Sequence, residues 1–196
     1  MDFFEILVWI VLIAVLMILD YALTVLGYRW YQKSFSQFIS HENYELNPIW
    51  QKSIQEGREK RLFNIKHLFL VAMMSFLLLC LWTLVLITEN QPITVNIFEL
   101  CLGMLFFLPL SINLQHIANI VIFRFVHKNR DKNLLTGQVR LSYGYSLMQS
   151  ILSRLQILVL LLFCFLLTNS IFILGGVLGE FVVFIQFTLI LKKSRR

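Results

Sequence analysis

Two apolar stretches of the sequence contain polar side chains where a membrane-spanning helix is normally hydrophobic. Asp20 and Thr24 lie one helical turn apart in "MILDYALTVLGYRW". Asn113, His116 and Asn119 follow one another at intervals of three residues in "PLSINLQHIANIVIFR". At about 100° per residue, that interval keeps the three on one slowly rotating face of a helix. Both stretches are therefore predicted to present a polar face.

These polar groups are of the kinds that bind a cation or exchange a proton. An acid such as Asp20 is expensive inside a bilayer, and intramembrane acids usually face a bundle interior or a water-filled cavity. Asn113 and His116 fall at a similar depth to Asp20, so we predict that they share one polar pocket. An imidazole normally titrates near neutral pH, which suits His116 as a proton partner. The alternative is that these side chains only hydrogen-bond neighbouring helices.

A polar string outside the apolar stretches could add ligands to this pocket. "HENYE" carries His41 and Glu45, but it lacks the second histidine of the HExxH zinc motif. Pro48 follows shortly after and fixes the direction of the chain. We predict that this loop folds back and adds Glu45 to the ion-binding residues; the alternative is a simple turn at the membrane surface. No metal or other cofactor is expected; the residues that would bind a metal are His41, Glu45, His116 and Asp20.

The elements that must position these groups are transmembrane helices. The chain has 196 residues, of which 58% are hydrophobic and 14% charged, whereas soluble domains carry about 25% charged residues. Four apolar stretches are evident, and the fourth is too long for one crossing of a hydrocarbon core about 30 Å thick. Because "GGVLGE" at 175–180 resembles a turn, we divide it there. The fold class predicted is all-α, a single membrane domain over 1–196 with spans at about 3–27, 67–87, 96–123, 155–174 and 177–191.

Charge counting supports five spans and orients them. All 17 Lys and Arg residues fall in the loops 29–66 and 124–154 or after the last span. Positively charged loops stay in the cytoplasm, so we predict the N-terminus outside and the C-terminus in the cytoplasm. Glu89, Glu99 and Glu180 then lie near the outer face, where they are expected to be solvated and to have no ion-pair partner. We predict an integral protein of the cytoplasmic (plasma) membrane.

Three functions remain open at this point. The first is transport or permeation of a small cation or a proton-coupled solute, with Asp20 binding the charge and a homo-oligomer completing the small chain. The second is a membrane-embedded enzyme acting on a lipid or membrane peptide through Asp20, Glu45 and His116. The third is a non-catalytic assembly or scaffold subunit that binds another membrane protein. The net charge of +6 predicts contact with anionic lipid headgroups and requires no nucleic acid.

Overall fold

Long helices make up most of this protein. The computed structural model describes residues 3–36, 38–41, 65–129 and 139–194. Within these residues, five helices are long and apolar enough to cross a membrane, which confirms the predicted number of spans and indicates an integral membrane protein. In chain order the elements are α1 (Phe3–Trp30), β1 (Ile39–His41), α2 (Ile65–Ile87), α3 (Pro92–Lys128), β2 (Val139–Leu141), α4 (Tyr143–Thr168) and α5 (Ile171–Ser194).

α1 and α3 run parallel and pack along most of their length. The ring of Trp9 meets that of Phe106 edge-on at 5.5 Å between centroids. More than twenty residues further along α1, Tyr31 lies 5.9 Å from Phe123. Tyr31 begins a π-helical turn, Tyr31–Phe35, that continues α1. Residues 20–24 of α1 and 113–116 of α3, which lie between these two aromatic contacts, are therefore held at the same level.

α2 runs antiparallel to α1 and begins beside its middle. His67, in the first turn of α2, stacks on Tyr21 at 5.2 Å between ring centroids. At the other end, Trp82 contacts Phe3 at 5.6 Å. The main apolar core lies between α1, α2 and α3 near this end, where Ile6, Leu78 and Phe98 are fully or almost fully buried. The polar part of α1 thus lies where α2 begins.

The turn between the last two spans lies at Asn169, and not at "GGVLGE" as the sequence predicted. α4 ends at Thr168, and Asn169 adopts a left-handed conformation with φ of 52° while its N–H donates to the Phe165 carbonyl. Asparagine is among the few residues that adopt this conformation at a helix C-terminus. The glycines of "GGVLGE" instead lie inside α5. The prediction of two spans was right, and the predicted position of the turn was wrong.

The glycines of α5 serve helix packing. A Cβ atom on Gly175 would overlap the carbonyl of Leu100, and one on Gly103 of α3 would overlap the carbonyl of Phe172. Small residues let helix backbones approach this closely in membrane proteins. α3 and α5 are consequently in tight parallel contact.

The two segments predicted as loops are shorter than expected and are joined by a small sheet. β1 and β2 pair in parallel, with Ser40 opposite Arg140. α3 continues to Lys128, and α4 begins at Tyr143 with the hydroxyl of Ser142 accepting from the Tyr145 N–H. Arg154, which the sequence placed in the loop 124–154, therefore lies more than two turns inside α4. The sheet is a minor departure from the all-α prediction.

Candidate functional site

Three predicted site residues meet between α1 and α3. His116 Nε2 lies 3.2 Å from Asp20 Oδ1 and 3.0 Å from Thr24 Oγ1. The Thr24 hydroxyl donates to the backbone carbonyl of Asp20 at 2.9 Å. These residues were predicted from spacing and depth, and the structure brings them together. With Asn113 they form what we call the α1–α3 cluster: Asp20, Thr24, Asn113 and His116.

The contacts of the α1–α3 cluster fit one pattern of donors and acceptors. A hydroxyl has one proton, and when Thr24 donates it to the Asp20 carbonyl, the hydroxyl acts as an acceptor toward His116. In the tautomer with a proton on Nε2, His116 then donates to Thr24 Oγ1 and to the Asp20 carboxylate. The cluster thus brings a carboxylate and an imidazole of two different helices within hydrogen-bond distance.

Asn113 extends the cluster by one turn and leaves one acceptor unused. Its Nδ2 donates to the Leu16 carbonyl at 2.8 Å. Its Oδ1 is buried without a hydrogen-bond partner in the described part of the protein, and the residue is 4% exposed. Asn119 lies about one turn beyond His116 on α3 and is half-buried. Among the residues described here, no hydrogen bond joins it to the cluster. Asn119 is therefore the predicted α3 residue that the structure does not bring into the site.

His67 bonds α1 next to the α1–α3 cluster, and the sequence did not predict this contact. Its Nε2 lies 2.7 Å from the Met17 carbonyl, next to the Leu16 carbonyl that accepts from Asn113. Side chains from α2 and α3 thus bond adjacent carbonyls of α1, one turn before Asp20. In the sequence, His67 is the first residue of the second apolar stretch. That position is the one sequence signal for the contact, because a histidine at the boundary of a span can reach the neighbouring helix.

The Asp20–His116 pair is partly accessible. The Asp20 side chain is 28% exposed and that of His116 is 20% exposed. The pair lies close to the level of the first turn of α2, where the chain enters the bundle. Both side chains therefore reach the surface of the bundle and are not enclosed in its core.

The loop residue Glu45 and the metal-ligand alternative stay untested. Glu45 lies outside the described residues, and His41 is described only as the last residue of β1. Within the part of the chain that is described, no group of three or more His, Cys, Asp or Glu side chains could hold a metal ion. The contribution of Glu45 to the site remains a prediction.

A second polar cluster lies on another side of α3, and the sequence did not predict it. Glu180 is completely buried, and its Oε2 lies 3.0 Å from Nη1 of Arg154, which is 4% exposed. The same Nη1 donates to Ser111 Oγ at 2.7 Å, and the Ser111 hydroxyl is bonded to Glu180 Oε1. We call Ser111, Arg154 and Glu180 the buried ion-pair cluster; it joins α3, α4 and α5.

The predictions for Glu180 and Arg154 were both wrong. Glu180 was expected to be solvated near the outer face without an ion-pair partner, and Arg154 to lie in a loop. Because the turn lies at Asn169, Glu180 is nine residues inside α5 and faces α4. A signal for the buried face was available: Ser146, Ser150 and Arg154 recur every four residues, and all three are buried. That spacing marks one polar face of α4.

Comparisons with known proteins add no relative from which a function could be taken. No protein-family model, curated protein or solved structure matches the chain.

Proposed function

We propose that this protein transports a small cation or a proton-coupled solute, or lets it permeate, with Asp20 binding the charge. His116 is the proton partner, and Thr24 and Asn113 supply further oxygen ligands. The loop residue Glu45 completes the proposed set of ligands.

One observation carries the proposal: a carboxylate and an imidazole on two different helices lie within hydrogen-bond distance, and both side chains are partly exposed. Asp20 Oδ1 and His116 Nε2 are 3.2 Å apart. A cation that binds Asp20 competes with the His116 proton for the same carboxylate, so release of one favours binding of the other. That competition is the elementary step of coupling an ion to a proton.

The neighbouring oxygen atoms favour a hard cation over a soft one. Asp20 offers a carboxylate, Thr24 a hydroxyl and Asn113 the carboxamide Oδ1 that has no partner. Oxygen ligands of these types suit hard cations, whereas thiolates select soft ones. An unused acceptor buried in a protein costs about 1–3 kcal/mol, and a bound cation or a water molecule that accompanies it would satisfy Asn113.

The proposal includes an orientation and an assembly. With Arg154 inside the bundle, 16 of the 17 basic residues remain to orient the chain, and the positive-inside rule still favours a C-terminus in the cytoplasm. The α1–α3 cluster then lies toward the cytoplasmic face of the plasma membrane. Because five spans are few for a complete pathway, we propose that copies of the chain assemble as a homo-oligomer.

Flux measurements on purified protein test the role of Asp20. In proteoliposomes with an imposed gradient of Na⁺ or H⁺, Asp20→Asn should abolish ion or proton flux. Glu99→Gln is the matched control, because it also neutralises a partly buried carboxylate in a span, away from the α1–α3 cluster. Flux that is unchanged in Asp20→Asn contradicts the proposal.

The same preparations distinguish the two alternatives. Stoichiometric zinc that is lost in His116→Ala would favour a membrane-embedded enzyme. A membrane protein that co-purifies with the wild type and is lost from a folded Asp20→Asn variant would favour a scaffold subunit. If the wild type shows no flux, the zinc result would replace the transport proposal with the enzyme, and the partner result would replace it with the scaffold subunit.

A further inference from the structure

A second feature of the molecule, independent of the proposed transport, is a group of cations around one indole ring. Lys33 Nζ lies 5.2 Å from the centroid of the Trp30 ring. The Arg124 guanidinium carbon lies 5.4 Å from the same ring, and His127 meets it edge-on at 5.6 Å. These four residues, which we call the Trp30 cluster, come from the end of α1, the π-helical turn and the end of α3.

The Trp30 cluster has an excess of positive charge. Lys33 and Arg124 are at most about 11 Å apart through the ring, close to one Debye length at physiological salt. Neither forms a salt bridge with a carboxylate among the described residues. Two like charges held this close repel each other, so an anion that binds beside the ring is stabilised by both.

The position of Arg124 against the ring suits a phosphate in particular. A guanidinium placed over an aromatic face keeps the N–H groups on its edge for a hydrogen-bonded ligand. Those N–H groups form a rigid fork that matches two phosphate oxygens, and Lys33 adds a point charge. Lys33 and Arg124 are both exposed, so a phosphate can approach them directly.

The surface below the Trp30 cluster is apolar and exposed. Leu26 lies one turn before Trp30 on α1, and Val121 lies one turn before Arg124 on α3, each on the same helix face. Leu26 is 37% exposed and Val121 is 60% exposed. A ligand that matches both parts carries an anionic head and hydrocarbon tails. Indole rings at this level are also typical of the boundary between membrane and water.

We propose that the Trp30 cluster binds the phosphate headgroup of an anionic phospholipid, whose acyl chains lie along the exposed faces of α1 and α3. Lys33 and Arg124 bind the phosphate, and Trp30 holds the two cations in place. Anionic lipids are enriched in the cytoplasmic leaflet, where the proposed orientation places this end of the bundle.

Lipid titration of the full-length protein tests this site. Protein in a neutral detergent is titrated with phosphatidylglycerol, with phosphatidylcholine of the same acyl chains, or with inorganic phosphate, and bound ligand is counted by native mass spectrometry. Phosphatidylglycerol should bind at least about tenfold more tightly than either comparison ligand, because the choline group of phosphatidylcholine adds a positive charge that Lys33 and Arg124 repel, and inorganic phosphate has no acyl chains to bury. Inorganic phosphate binding as tightly as phosphatidylglycerol would show that the ligand is a soluble anion. Equal binding of phosphatidylcholine would show that the headgroup charge is not recognised. Either result overturns the proposal.

Matched variants place the binding at the Trp30 cluster. Lys33→Gln/Arg124→Gln should weaken phosphatidylglycerol binding about tenfold, whereas Lys192→Gln/Lys193→Gln, which also removes two positive charges, should change it less than about twofold. Equal losses in the two double variants would indicate a general charge effect and overturn the site.

Arg124→Lys keeps the charge but loses the planar fork, and should weaken binding by an intermediate factor of about three. Wild-type binding in this variant would exclude the bidentate contact. This readout is independent of flux, so the lipid site and the transport proposal can fail separately.

Discussion

The α1–α3 cluster and the buried ion-pair cluster use similar chemistry in different surroundings. Each pairs a carboxylate with a basic side chain on another helix and adds a hydroxyl. In the first, the side chains of Asp20 and His116 are 28% and 20% exposed; in the second, those of Glu180 and Arg154 are 0% and 4% exposed. The base also differs. Arginine stays protonated under all ordinary conditions, whereas histidine can lose its proton near neutral pH.

This difference supports a structural role for the buried ion-pair cluster and the proposed ion-binding role for the α1–α3 cluster. A permanently charged, fully enclosed pair has no route to exchange its proton or to admit an ion, so the buried ion-pair cluster fixes α4 and α5 against α3. The α1–α3 cluster has a histidine as its base, and its side chains are partly exposed. α3 contributes to both, because Ser111 and Asn113 are two residues apart and so point about 200° apart around the helix.

The largest effect on stability is expected from breaking the buried ion-pair cluster. Glu180→Gln leaves the Arg154 charge buried without a counter-charge, which should lower the free energy of unfolding by about 3–5 kcal/mol. Equilibrium unfolding in mixed micelles, followed by circular dichroism, measures it.

The control for this prediction removes both charges. Glu180→Leu/Arg154→Met replaces the pair by apolar side chains and should restore most of the stability lost in Glu180→Gln. Glu99→Gln should change the unfolding free energy by less than about 1 kcal/mol. If Glu180→Gln is as stable as Glu99→Gln, the buried ion pair does not hold the helices together.

The next largest effect concerns the close contact between α3 and α5, which lies five residues before Glu180 on α5. Gly175→Ala places a methyl group against the Leu100 carbonyl, so α5 must move away from α3. Overpacking of this kind should cost about 1–3 kcal/mol and make Glu180 accessible to water. Unfolding in mixed micelles gives the free energy, and hydrogen exchange at residues 176–182 reports the opening.

Gly144→Ala is the matched control for the glycine contact. A Cβ atom there would lie 3.6 Å from a methyl carbon of Leu191, an ordinary contact distance. We therefore expect Gly144→Ala to be neutral or slightly stabilising, since alanine favours helix over glycine by about 1 kcal/mol. Equal losses in the two variants would mean that the α3–α5 contact tolerates a methyl group.

The sequence predicts the parts of this protein that depend on depth along a helix. Apolar length predicts five spans, and the position of Asp20 within its span predicts that it lies level with His116. Both follow from the constant rise of an α-helix. Spacing also predicts that Thr24 shares a face with Asp20, and His116 Nε2 lies within 3.2 Å of side-chain atoms of both.

The parts that depend on the direction a side chain faces were not predicted. Glu180 was placed near the outer face because the turn was misplaced, and even at the right depth the hydropathy pattern does not distinguish a side chain that points to lipid from one that points to Arg154. The turn was misplaced because glycine serves both chain reversal and close helix packing, and "GGVLGE" uses it for packing. His67 was missed because its partner is a backbone carbonyl of Met17, and all residues offer such a carbonyl.

A smaller effect on stability separates the two clusters directly. Asp20→Asn keeps a hydrogen-bonding oxygen near His116 and removes one member of a partly accessible pair. Such pairs are worth about 1 kcal/mol or less, so the unfolding free energy should fall by no more than that while flux is lost. A loss of about 3 kcal/mol or more, as expected for Glu180→Gln, would mean that Asp20 is structural and would remove the contrast between the clusters.

The smallest expected effect on flux lies at Thr24, whose hydroxyl contacts His116. Thr24→Val keeps the shape of the side chain and removes the acceptor 3.0 Å from Nε2, so Nε2 then donates to Asp20 alone. Loss of one such hydrogen bond should change stability by about 0.5–1.5 kcal/mol and lower flux without abolishing it. Thr24→Ser, which retains the hydroxyl, should keep the wild-type flux. Flux that is the same in Thr24→Val and Thr24→Ser would show that the hydroxyl does not contribute, and would leave Asp20 and His116 as the residues that bind the charge.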